Sequence, residues 1–194
     1  MIKGDSDDYD LLTKWSKGFD CKGNYSCEIG VRQGKGSQII MDNILNNYLH
    51  IGVDPYGDIK YQHFDNDDQF KWGDNEPGVA PTYSNTMRDQ MIADFKEYTL
   101  KGKFHFANMT DVDFMKHNVY SGLVFAFVFF DGPHTTKDVS AEALWFATRS
   151  APHSRFIFDD HQYYRMDLIS HILEFHGFKT VEAGDHKIIL EKKC

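Results

Sequence analysis

The sequence is poor in what builds several familiar protein classes. It holds three cysteines in 194 residues (Cys21, Cys27 and Cys194), an odd number with no Cys-x-x-Cys spacing. Neither a disulfide framework nor a zinc knuckle is expected from them, and a reducing, cytoplasmic setting is the simplest expectation. No apolar run approaches the roughly 20 residues that span a bilayer, so no membrane partner is expected. Positive charge is in deficit, with 21 lysines and arginines against 29 acids and a net charge of −8. Such a surface repels phosphate backbones, and no nucleic-acid partner is expected. The acidic start, Asp5-Ser6-Asp7-Asp8, has the character of neither a signal nor a transit peptide. The dinucleotide pattern Gly-x-Gly-x-x-Gly, the P-loop and the Gly-x-Ser-x-Gly elbow are all missing.

What is present suits one packed domain over 1–194. Hydrophobic residues make up 41% and aromatics 15%, enough for a core. Tyr9, Leu11, Leu12 and Trp15 mark a first helix. Strands are expected at Ser26 to Val31, Leu49 to Val53, Lys103 to Ala107 and Arg155 to Phe158. Leu123 to Phe130, a continuous apolar run, reads as a central strand buried on both faces. Helices are expected at Ser37 to Asn47, Asn85 to Leu100, Asp111 to His117, Thr136 to Thr148 and Tyr163 to His176. In the first of these, Ile40, Met41, Ile44, Leu45 and Tyr48 share a face; in the fourth, Val139, Ala143, Leu144 and Ala147 do. Thr135 with Asp138 resembles a capping box, and Gly177 a C-terminal stop. Phe178 to Glu182 and Lys187 to Glu191 read as a closing hairpin that adds an antiparallel edge. The polar stretch 56–84 is expected to be a lid or substrate-side insertion, or else a surface excursion. Alternating strands and helices argue for an α/β fold with a mostly parallel sheet and helices on both faces.

In such sheets ligands bind beyond the C-terminal ends of the strands. After the first strand comes Glu28-Ile29-Gly30-Val31-Arg32-Gln33-Gly34-Lys35-Gly36-Ser37. The glycines let backbone approach a ligand closely. Glu28 would repel a pyrophosphate and suits an ammonium or sulfonium group. Asp54, ending the second strand, can accept both hydroxyls of a ribose. A ligand with one cationic end and one ribose fits S-adenosylmethionine better than NAD or ATP. The plainer alternative is that Gly30 and Gly34 pack helix on strand and Asp54 caps a turn.

These residues, with Phe130-Asp131-Gly132-Pro133-His134 and Phe158-Asp159-Asp160, resemble the class I S-adenosylmethionine-dependent methyltransferases. The nearest branch is the small-molecule O-methyltransferases of macrocin and catechol type, and the resemblance covers roughly residues 24–192. It implies a Rossmann-like, doubly wound, seven-stranded sheet whose last strand is antiparallel. It implies a cofactor site that includes Gly30, Gly34 and Ser37, with Glu28 facing the methionine end. Asp54 then faces the ribose, Met109 and Thr110 the adenine, and Asp131 the same pocket.

Asp131, Asp159 and Asp160 end neighbouring strands, so their carboxylates can converge. Oxygen ligands of this kind suit Mg²⁺, or Ca²⁺ or Mn²⁺, and the resemblance maps the three acids onto the metal site of the metal-dependent members. The alternative is that they only end strands or cap the next helix. Methyl transfer to a hydroxyl needs a base. The catechol-type enzymes carry a lysine at the position of His134, and the sugar-type enzymes an aspartate at that of Pro133, which cannot act. His134 is therefore the expected base, with His161 as the rival base, ligand or substrate contact. Trp72, Tyr83 and Tyr163 are candidates for an aromatic wall around substrate. The expected activity is O-methylation of a small sugar- or phenol-like molecule. A metal-dependent hydrolase on the same cluster, or a non-catalytic nucleotide-binding module, stay open beside it, as does a homodimer.

Overall fold

The computed structural model describes residues 2, 4, 7–57, 59–67, 71–72 and 83–193, with 71–72 as backbone only. The chain begins with α1 (Tyr9–Ser16), β1 (Tyr25–Ile29), α2 (Lys35–Asn43) and β2 (His50–Val53). A two-residue hairpin of β3 (Lys60–Tyr61) and β4 (Lys71–Trp72) follows, then α3 (Asn85–Asp94), α4 (Lys96–Leu100) and β5 (Phe104–Ala107). The second half holds α5 (Asp111–Lys116), β6 (Phe125–Phe130), α6 (Thr136–Ala147) and β7 (Ser150–Phe158). A 3₁₀ turn (His161–Tyr163), α7 (Met166–Glu174), β8 (Phe178–Ala183) and β9 (Ile188–Lys192) close it.

The apolar run becomes the central strand β6, buried at every residue. Its side chains alternate between two layers, as a strand covered on both faces requires. Phe127 and Phe129 pack with Leu12, Ile39 and Ile40 of α1 and α2. Val128 and Phe130 pack with Phe146 of α6 and Ile169 and Leu173 of α7. The sheet runs β5-β2-β1-β6-β7-β9-β8, seven strands in the doubly wound order expected. The closing hairpin forms that side of the sheet as expected, with the last strand β9 antiparallel between β7 and β8 and β8 at the edge.

Boundaries differ where non-local pairing wins over periodicity. Helix α2 stops at Asn43 because Ile44 turns extended and Leu45 pairs with Phe19 and Cys21. Leu45 and Tyr48, expected on a buried helical face, are exposed. The helix over 85–100 breaks at Phe95, which is buried against Phe104. The last long helix breaks at Tyr164, which is extended and donates its hydroxyl hydrogen to the Asp159 carbonyl at 2.8 Å. Thr135 caps α6 as expected, accepting from the Asp138 N–H at 3.1 Å. On that helix the inward face is Val139, Glu142, Ala143, Phe146 and Ala147, so Glu142 rather than Leu144 is buried.

Glu142 is fully buried, and its carboxyl faces that of Asp111. Burial, then the charge of the nearby Asp111 carboxyl, raises its pKa well above the usual 4.5. A raised acid stabilises the fold below its unfolded pKa and loses that contribution as pH climbs toward the folded value. Each pH unit in that window costs about 1.4 kcal/mol per group. Glu142→Gln is therefore expected to become more stable relative to the parent as pH rises from 5 to 8, measured by urea unfolding at each pH. A difference that stays constant across that range would show that Glu142 is not protonated in the fold.

Candidate active site

The site lies at the C-terminal ends of β1, β2, β6 and β7. Gly30, ending β1, sits at φ +87°, and a Cβ there would stand 2.0 Å from the Asp131 carbonyl oxygen. Only glycine lets β1 and β6 close at this point, and the Asp131 amide donates to the Ile29 carbonyl at 2.8 Å. Two cavities meet at Gly30, His63 and Tyr83. One, about 190 Å³, is lined by Glu28, Arg32, Lys35, Asp131, His134 and Asp159 among others. The other, about 390 Å³, reaches over Asp54, Pro55, Thr110, Val112 and Pro133.

Glu28 is buried at the floor of the polar cavity. Ser37 Oγ donates to its carboxylate, and a relay stands behind Ser37. His50 Nε2 lies 2.9 Å from Ser37 Oγ, His50 Nδ1 lies 2.8 Å from Ser26 Oγ, and Asn47 Nδ2 donates to Ser26 Oγ at 2.9 Å. Ser37 Oγ therefore stands between the Glu28 carboxyl and His50 Nε2, and the direction of the relay follows the ionisation of Glu28. Burial holds the His50 pKa down to about 3, so the ring stays neutral. Burial also pushes Glu28 up to about 8, against the hydrogen bonds from Ser37. Nothing in the local sequence signals this relay, which needs β1, α2 and β2 in register.

Asp54 is buried at the junction of β2 with the larger cavity. The Arg32 amide donates to its Oδ2 at 2.8 Å, while Oδ1 has no hydrogen-bond partner among the described residues. Burial raises its pKa to about 7. An orphaned buried oxygen on a cavity wall asks for a donor from a ligand. Gly34, at φ +91°, starts α2 with its α-carbon against the Phe95 ring, and takes the packing role of the plainer alternative. Thr110 lines the larger cavity but spends its hydroxyl capping α5, accepting from the Asp113 N–H at 3.0 Å. Met109, expected at the adenine, packs against the hydrophobic core instead.

His134 is buried, its Nε2 3.9 Å from both Asp131 Oδ1 and Asp160 Oδ2. The lid segment closes on it. The His134 amide donates to the His63 carbonyl at 2.8 Å, and the Phe64 ring stacks on the imidazole with centroids 5.7 Å apart. Asp65 then latches the segment to the start of α6, accepting from the Thr136 amide at 2.8 Å and from its hydroxyl. Tyr163 touches Phe64 at 4.8 Å and Tyr83 lines both cavities. The side chain of Trp72 and much of the expected lid lie outside the described residues. His161 lines neither cavity. Its Nε2 bonds the Gly184 carbonyl at 3.0 Å, at the β8–β9 turn.

The acid cluster forms, but not as a metal cage. Among the described residues no group of three His, Cys, Asp or Glu has the geometry to hold a metal ion. Asp159 instead pairs with the buried Lys187, Nζ to Oδ1 at 2.7 Å, and also accepts from the Asp160 amide at 3.0 Å. Asp160 Oδ1 is engaged by His186 Nδ1 at 3.1 Å. Burial, and then the neighbouring Asp159 charge, pushes Asp131 well above the usual carboxylate range. The expected Mg²⁺ on Asp131, Asp159 and Asp160 thus does not fit, and the hydrolase reading loses its centre. Nothing in the local sequence marks Lys187, whose role depends on the register of β9 against β7.

Comparisons with known proteins agree with the fold. Among curated proteins none matches the sequence. Among solved structures, an O-methyltransferase from Bacillus cereus in complex with SAH is 11% identical, with a TM-score of 0.59 over 99% of this chain and 83% of that one. The O-methyltransferase TomG from Streptomyces achromogenes, in complex with SAM, is 10% identical, with a TM-score of 0.57 over 100% and 82%. A protein from Corynebacterium glutamicum is 14% identical, with a TM-score of 0.61 over 98% and 83%. These likenesses share the fold. The sequence model of the methyltransferase domain matches residues 27–161, from the glycine turn through the acids that end β7, and the chain belongs to that methyltransferase family.

Proposed function

We propose that the protein transfers the methyl group of S-adenosylmethionine to an oxygen of a small acceptor. The observation that carries this reading is the buried, partnerless Oδ1 of Asp54 on the wall of a cavity that continues past Gly30 to Glu28. The donor set fits the cofactor. Asp54 accepts the ribose hydroxyls, Glu28 faces the ammonium end, and the glycine turn lets backbone approach between them. When bound, the cofactor supplies an electrophilic methyl on a sulfonium.

The chain's own residues supply the rest. His134 Nε2 takes the proton of the acceptor hydroxyl, and the Asp160 carboxylate, 3.9 Å from Nε2, favours the imidazolium that results. His63 and Phe64 cover that face and keep water away from the developing charge. The acidic surface, and structural neighbours that are O-methyltransferases, favour a small polar acceptor such as a sugar or phenol.

The test is calorimetric titration with S-adenosylhomocysteine beside a methyl-transfer assay on a panel of sugar and catechol acceptors. His134→Ala is expected to bind S-adenosylhomocysteine as the parent does and to lose about 10²–10⁴-fold in kcat. No binding of either nucleoside would overturn the reading. Full activity in His134→Ala would remove the base assignment alone.

A further inference from the structure

The β9 strand does more than widen the sheet. Its antiparallel register sets Phe158 opposite Ile188, which brings Lys187 against Asp159 at the C-terminal end of β7. The Lys187 side chain is fully buried there. Its ammonium donates to Asp159 Oδ1 at 2.7 Å and to the Asp7 carbonyl, and it lies 5.4 Å from the Phe129 ring centroid and 5.5 Å from that of Tyr9. Its charge also acts on Glu28 and Asp131, favouring their ionised forms. One cation therefore acts on three of the acids that line the polar cavity, Glu28, Asp131 and Asp159.

A divalent ion would need those same oxygens. Mg²⁺ demands near-octahedral oxygen ligands at about 2.0–2.1 Å. Here Asp159 Oδ1 already accepts from Lys187 and from the Asp160 amide, and Asp160 Oδ1 is held by His186. A lysine ammonium is a compact point charge on a flexible stem, and it can sit where a bound cation would otherwise balance the acids.

We propose that the Lys187 ammonium stands in this chain where metal-dependent methyltransferases hold a divalent cation, so that its reaction runs without a metal. The inference rests on the methyl-transfer reading for its catalytic consequence, but the cation site is testable by itself. Mn²⁺ uptake by the full-length protein is followed by electron paramagnetic resonance, with Mg²⁺ as competitor and S-adenosylhomocysteine titrated in the same samples. The parent protein is expected to take up no stoichiometric Mn²⁺ at millimolar concentration. Its methyl transfer is expected to be unchanged by EDTA.

Lys187→Ala uncovers the acids and is expected to gain Mn²⁺ affinity by at least about tenfold, with Mg²⁺ competing. If that variant does not fold, Lys187→Gln serves in its place, and the parent titration stands by itself. One Mn²⁺ bound by the parent and lost in Asp160→Asn would overturn the proposal. So would a folded Lys187→Ala that takes up none. Absent S-adenosylhomocysteine binding would sink the methyl-transfer reading while leaving the Mn²⁺ outcome to decide the role of Lys187.

Discussion

Asp54→Ala is expected to weaken S-adenosylhomocysteine binding by about two to four orders of magnitude. Two hydroxyl hydrogen bonds to a buried carboxylate are each worth roughly 1.5–3 kcal/mol, and Asp54 Oδ1 has no other donor among the described residues. The pH dependence sharpens the test. In the empty site burial raises Asp54 to about 7 and Glu28 to about 8, so both carry protons at mildly acidic pH. A ribose and an ammonium group prefer the ionised forms, so binding expels those protons. Affinity should therefore rise with pH between about 6 and 8, by up to about tenfold per unit for each group, and level off above 8. Removing Asp54 deletes its share of that slope and leaves the part due to Glu28. Calorimetry in buffers of different ionisation heat counts the protons directly. An affinity in Asp54→Ala within threefold of the parent would place the ribose elsewhere.

The parts of the fold legible in the sequence are those set by local chemistry. Leu123 to Phe130 can be read as a central strand because eight consecutive apolar side chains leave no polar face to present to water. The turn from Glu28 to Ser37 can be read because glycines and a carboxylate at a strand end carry their meaning within ten residues. Other features are written in register. Lys187 looks like an ordinary strand lysine until β9 is placed beside β7. His50 looks like a strand residue until Ser26 and Ser37 arrive on its two nitrogens. The end of α2 was missed because Leu45 finds better partners in Phe19 and Cys21 than in another helical turn. Glu142 was missed because periodicity assigns it correctly to the inward face while its charge argues against that face. Chemistry that converges from distant segments carries little local trace: His161 draws notice by its adjacency to two aspartates, while Lys187 has no such pair beside it in sequence.

The Asp159–Lys187 pair should be among the most costly in the molecule to break and among the cheapest to remove whole. Both side chains are buried, at 3% and 0% exposure, so neither charge can turn to water when its partner is lost. Asp159→Ala strands an ammonium between the Tyr9 and Phe129 rings, and Lys187→Met strands a carboxylate beside Asp131. Each single change is expected to cost about 3–5 kcal/mol, which lowers Tm by about 6–20 °C in a chain of this size. The double variant removes both charges and fills the space with apolar atoms, so it should recover most of that loss. Urea unfolding of the four proteins gives the coupling energy. A double variant as unstable as the sum of the singles would mean the two charges act independently, with Asp131 or the Asp7 carbonyl as the true anchor of Lys187. Recovery in the double variant would show that the pair is not kept for stability, since methionine and alanine then serve the fold nearly as well. The reason for a buried ammonium at this position would have to be sought in the chemistry at the mouth of the cavity.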